Sequence, residues 1–151
     1  MEKLRTLKTA NPEMQSGRSL KRPNTELAQE TAQVVTALMN AATSLHKLHL
    51  QITGDGSYAQ HIALNELYDV MHGHADTLAE GFQGASETLL KYENDAPIVL
   101  NSVKEAIVYL RELTEEVVEL QSIMPYSEIV NNLDLVKDSI NSAKYKLIFL
   151  S

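Results

Sequence analysis

Two long stretches of helical apolar spacing meet at a glycine break, and that meeting constrains the fold more than any other feature. Before the break, apolar residues recur at Leu38, Ala41, Leu45, Leu48 and Ile52; after it they recur at Leu64, Leu67, Met71, Ala75 and Leu78. Steps of three and four place each set on one face of a helix. Gly54-Asp55-Gly56 supplies the turn. The chain is therefore committed to a helical hairpin, and the hairpin's buried faces need further helices to cover them. Two more periodic segments provide these: Val103, Ile107, Leu110, Val117 and Leu120, then Ile129, Leu133, Val136, Ile140, Ala143 and Leu147. The expected helices span about 25–53, 57–83, 97–123 and 127–149, with Thr25, Ser57 and Ser127 as N-caps and Gly81 and Gly84 ending the second. Pro125 separates the last two. The fold class is all-α, a four-helix bundle at 25–151 preceded by a basic arm at 1–24.

The link between the second and third helices decides the topology. A ferritin-like bundle needs that link to run the length of the molecule, about 35–40 Å, which roughly a dozen extended residues would just cover. The run SETLLKY at 86–92 reads as a short helix within it. A plain up-down-up-down bundle stays open.

Composition narrows the chemistry. Cysteine is absent, which removes disulfide scaffolds, thiolate metal sites and cysteine nucleophiles. No apolar run approaches the ~20 residues of a membrane span, and the N-terminus carries charges where a secretory signal would be apolar, so the expectation is a cytoplasmic protein. The net charge of −7 is unevenly placed. Residues 1–25 hold six basic groups, Lys3, Arg5, Lys8, Arg18, Lys21 and Arg22, against Glu2 and Glu13; that +4 leaves −11 on the rest. With Pro12, Gly17, Pro23 and no sustained period, this arm reads as flexible and suited to neutralising phosphates without reading sequence. A solubilising tail is the plainer reading.

All five histidines fall between Thr43 and Phe82. His49 lies six residues before Asp55 and His61 six after it, so in an antiparallel hairpin the two imidazoles share one height and one ion could lie between them. Asp76 and Glu80 are one turn apart and also converge. His61 and Asp76, however, are fifteen residues apart, about 22 Å along a helix. One straight helix cannot bring both halves to one ion. A second copy crossing antiparallel about a two-fold axis near residues 68–69 would set one chain's His61 opposite the other's Asp76 and Glu80. The spacing predicts a site shared between subunits. His72, one turn before Asp76, is a candidate auxiliary ligand. His46 and His74 read as surface or hairpin-contact residues, and Glu66 and Asp69 as solvated face.

At these residues the chain resembles the Dps family, the ferritin-like DNA-binding proteins from starved cells. His49, His61, Asp76 and Glu80 stand at the family's site spacings, Gly54 falls at its turn glycine, and Asp-Thr-Leu-Ala-Glu at 76–80 is similar to its D-x-x-A-E. The departures are Asn65 where the family has an Asp ligand, Leu50 in place of a Trp, and Gly81 in place of an Arg. Asn65 still offers a carbonyl oxygen but no negative charge. The resemblance implies an iron-binding ferroxidase and iron store, with His49, His61, Asn65, Asp76 and Glu80 around Fe(II), or zinc in its place. It also implies a homo-oligomeric dodecamer, and DNA binding and stress protection through the arm, on the nucleoid. Two other readings stand beside it. One is a non-catalytic Dps-derived bundle with a decayed metal site that packages or binds nucleic acid. The other is a structural four-helix module whose histidines are merely packed.

Overall fold

A computed structural model describes residues 21–151, with side chains from residue 25 onward. Lys3, Arg5, Lys8 and Arg18 of the basic arm lie outside the described residues. Four helices make up the regular structure among those described: α1 (Lys21–His49), α2 (Ser57–Ser86), α3 (Val103–Ile123) and α4 (Ser127–Phe149).

The expected bounds hold at the start of α2, the end of α3 and both ends of α4, while both ends of α1, the end of α2 and the start of α3 differ. α1 starts at Lys21, not near Thr25, so Lys21 and Arg22 belong to its first turn. Pro23 is tolerated there because first-turn N–H groups have no intrahelical acceptor to lose. The same helix stops at His49, short of Thr53. α2 runs through Gly81 and Gly84 to Ser86 and ends on Glu87, left-handed at φ 52. Gly81 is held inside the helix by its neighbours, since its Cα faces Ile129 and Asn132 of α4. α2 starts behind Gly56 at φ 74, with no side-chain cap from Ser57. Gly56 is doubly constrained: its φ is positive, and an added Cβ would stand 3.0 Å from the carbonyl carbon of Ser151. α3 begins at Val103, not at 97. Its start is a capping box, in which Ser102 Oγ accepts from the Glu105 N–H (3.1 Å) and Glu105 Oε2 reaches back to the Asn101 N–H (2.8 Å). Ser127 is the first residue of α4, and Tyr126 occupies its N-cap.

The core follows the predicted stripes. Leu38, Leu45, Leu64, Leu67, Met71, Leu110, Leu113, Leu120, Ile129 and Leu133 are fully buried, and Ala41, Ala75 and Ala106 are buried among them. Small residues between large ones let the helix axes approach while the leucines interdigitate.

Helix directions follow from pairwise contacts. His49 meets His61 across the first hairpin. His74 meets Ser139, and Lys146 meets Glu66, so α4 runs antiparallel to α2. Gln121 bonds the Val130 carbonyl and Asp134, closing an antiparallel α3–α4 hairpin. α2 and α3 therefore point the same way, which excludes the up-down-up-down alternative and gives the ferritin-like connectivity. Residues 87–102 make the crossing. Apart from the turn at Glu87 they carry no helix, so the short helix expected at SETLLKY is absent. Sixteen residues, at about 3.3 Å each, reach some 50 Å when extended, enough to run the length of a bundle roughly 40–45 Å long without a helix. Leu90 and Leu100 anchor the strand in the core. Midway, Asn40 Nδ2 of α1 donates to Asp95 Oδ2 (3.0 Å).

The crossing strand also walls a polar cleft of about 430 Å³ against α1 and α3, lined by Gln33, Thr36, Asn40, Asp95, Tyr109 and Glu116. Burial and then the Glu116 carboxylate push the Tyr109 phenol up to about 12, and burial with Glu119, Asp95 and Glu112 raises Glu116. Among the described residues no helix is long and apolar enough to cross a membrane.

Candidate metal centre

His49 closes α1 and His61 lies in the second turn of α2, so the glycine turn brings them face to face. Their rings stack with centroids 3.6 Å apart and planes 24° from parallel. Each is tied to the other's backbone: His49 Nδ1 lies 3.0 Å from the His61 carbonyl oxygen, and His61 Nδ1 lies 3.2 Å from the His49 carbonyl oxygen. A carbonyl only accepts, so both Nδ1 atoms are the donors and carry the proton. In the neutral rings the lone pair is then on Nε2 in both. Imidazoles that ligate metals are held this way, with one nitrogen donating to a carbonyl or carboxylate and the other facing the ion. His49 is buried and His61 half-buried.

A second layer packs on this pair. Tyr68 stacks on His46 (4.1 Å, 11°) and presents its ring edge-on to His49 (5.1 Å, 72°). The Tyr68 hydroxyl donates to Asn65 Oδ1 (2.7 Å), and Asn65 Nδ2 donates to Asp69 Oδ2 (3.0 Å). His46 is thus a hairpin-contact residue, as expected. Asn65, expected as a weak ligand, has its amide committed to Tyr68 and Asp69. Asp69 is more than solvated face, since it anchors that chain. His72 is exposed and lines a shallow depression with His46, Lys47, Leu50, Tyr68 and Asp69. Tyr68 escaped the sequence reading. Its signal was the stripe His61, Asn65, Tyr68 and His72, at steps of four, three and four on one helix face.

Asp76 and Glu80 are exposed, farther along α2. Among the described residues no three His, Asp or Glu side chains of one chain converge on a common point. The histidine pair and the acidic pair are therefore separate within a subunit, as their spacing requires. The Tyr92 phenol from the crossing strand is raised, first by burial and then by the Asp76 carboxylate.

His74 belongs to a different face. Its Nε2 is 2.9 Å from Ser139 Oγ, and Ser139 Oγ donates to the Leu135 carbonyl, so the serine oxygen accepts and Nε2 carries the proton. Burial lowers the His74 pKa. The unfolded chain takes up this proton near the ordinary ~6.5, the folded chain only at lower pH. Stability is then unaffected above ~6.5 and falls as pH drops through ~6.5 toward the folded value. Urea midpoints of wild type and His74→Gln at pH 7.5 and 5.5 check this. The drop between the two pH values is expected to be smaller in the variant; equal drops would refute the assignment.

Taken together, the molecule is a four-helix bundle with a paired-histidine hairpin and an exposed acidic pair on the same helix. The chain belongs to a family of unknown function, DUF5856, whose model matches residues 49–147, from His49 to the last buried residue of α4. No curated protein and no solved structure matches the chain.

Proposed function

We propose that this protein binds a divalent transition metal at a site shared between two copies, with His49 and His61 from one and Asp76 and Glu80 from the other, and that the metal is Fe(II), its substrate for oxidation by dioxygen or peroxide. The observation that carries the reading is the reciprocal Nδ1-to-carbonyl pairing of His49 and His61, which leaves two adjacent imidazoles with Nε2 lone pairs at the hairpin end. Imidazole with carboxylate suits Fe(II) or Zn(II). Exposure of Asp76 and Glu80 leaves them accessible to a partner. On this reading the protein is a Dps-like homo-oligomer of the cytoplasm, a dodecamer by resemblance, and its basic arm with Lys3, Arg5, Lys8 and Arg18 holds DNA together with Lys21 and Arg22 at the start of α1. His72, one turn from Asp76, is an auxiliary ligand.

The second reading is a non-catalytic bundle with a decayed metal site that binds or packages nucleic acid. It draws on Asn65, whose carbonyl is occupied by Tyr68 and whose position contributes no charge.

Anaerobic titration of the full chain with Fe(II), and with Zn(II) in competition, tests the proposal. Saturable binding of about one ion per chain is expected, weakened by about 100-fold in Glu80→Ala, a loss typical of disturbing a metal's ligand set. No saturable binding of either ion would overturn it. Admitting dioxygen or peroxide then separates the two readings: ferric absorbance appears with turnover and is absent without it.

A further inference from the structure

The end of the bundle where the α1–α2 turn meets the end of α4 presents large apolar side chains to solvent. Leu50 at the turn is 71 % exposed, Tyr58 at the start of α2 78 %, Val99 just before α3 70 % and Phe149 at the end of α4 72 %. Tyr145 and Leu150 are more than half exposed, and the Tyr145 and Phe149 rings lie 5.8 Å apart. The packing of Ser151 against Gly56 brings the α4 end beside the turn, and the α3–α4 hairpin places the start of α3 at this same end. Four elements thus contribute to one surface.

We propose that this end is a contact between copies of this chain; it borders the α1–α2 face at Leu50, which also lines the depression beside His46, Tyr68 and His72. The area argues for it. At roughly 150–250 Å² for a whole large side chain, these exposures leave on the order of 800 Å², the share one partner gives to a stable interface. Surfaces of this kind on a lone subunit are unusually large for free solvent exposure. The charges at this end argue for a second copy in particular. Asp55 on the turn and Lys104 and Lys144 on α3 and α4 put both signs around the apolar centre, so neighbouring copies set acid against base. An anionic lipid surface is disfavoured by the −11 carried outside the arm. A contact at the end, added to one on the side, lets subunits close into a shell in place of stopping at pairs. The inference does not depend on the metal reading.

Light-scattering mass of the full chain decides it. Wild type is expected at twice the 16.8 kDa of one chain from this contact alone, and above that where a side contact adds to it. Tyr58→Ser/Phe149→Ser is expected to fall by at least about twofold in mass, to pairs or single chains, with unchanged helical circular dichroism, because both side chains are mostly solvent-exposed. Leu89→Ser, 79 % exposed at the opposite end, serves as control and keeps the wild-type mass. A wild type running as a single chain overturns the proposal. So does a double variant of unchanged mass, an equal drop in the control, or a single chain that instead sediments with phosphatidylcholine/phosphatidylglycerol vesicles. Loss of assembly in the double variant with metal binding intact in its pairs separates this contact from the metal site.

Discussion

Two chains that each bind metal only weakly, His61→Ala and Glu80→Ala, are expected to recover tight binding when unfolded together and refolded as a mixture. In a shared arrangement each pair of subunits has two sites, and each site takes histidines from one copy and acids from the other. A pair of His61→Ala chains has neither site intact, and the same holds for a pair of Glu80→Ala chains. A hybrid pair has one site missing both halves and one site complete. Random pairing makes about half the pairs hybrids, so about a quarter of the wild-type sites return. Zn(II) titration of each variant and of the mixture measures this. If the mixture binds no more than the parents, the site is not shared between subunits, whatever the wild type binds. Glu80 is exposed, so its loss leaves its own chain's packing unchanged, and His61→Ala removes the ring stacked on His49 and the donor to the His49 carbonyl but keeps the backbone carbonyl that His49 Nδ1 bonds. Far-ultraviolet circular dichroism on both parents checks that neither has lost the hairpin.

Phe82→Ala is expected to destabilise the fold by about 3–5 kcal/mol, the usual cost of emptying a buried aromatic site, out of a total stability of about 5–15 kcal/mol. Phe82 is fully buried in the last turns of α2 and presents its ring edge to Tyr126 at 6.2 Å, where the α3–α4 turn closes over it. Its site is enclosed by α2 and the Met124–Tyr126 region, which leaves little freedom for collapse around an alanine. Urea unfolding followed by circular dichroism reads the change as a lower midpoint at similar slope. A loss below about 1 kcal/mol would mean that the end of α2 frays and that the core stops short of it.

The residues that stack the hairpin were readable because their geometry is set by helical period and a fixed turn. His49 and His61 count equally from Asp55, and antiparallel helices convert equal counts into equal heights; the rings do meet. The separation of Asp76 and Glu80 from them was equally readable, since fifteen residues of helix have one length. The reciprocal Nδ1 bonds were not, because they depend on the rotation of two helices about their axes, which spacing leaves free. Tyr68 was missed for the same reason: a tyrosine on a helical stripe becomes part of a site only when the neighbouring helix turns His46 toward it.

Helix ends failed in an instructive direction. Gly81 and Gly84 carry the local cost of glycine in a helix, and on local grounds α2 should have stopped there. It continues because Phe82 has a core site to fill, and burying that ring outweighs about 1 kcal/mol of propensity per glycine. At the start of α3 the converse holds. Ser102 and Glu105 form a capping box that was legible as S-x-x-E, but the proline at 97 drew the helix start too early.

Sequence alone determined that this chain is helical, that four amphipathic segments bury one face each, and that His49 and His61 meet across one turn, because period and turn chemistry are local. Tertiary structure alone decided the direction of α3, since a sixteen-residue link can serve as loop or as crossing strand, and only the packing of Leu90, Asp95 and Leu100 along the bundle selects the crossing.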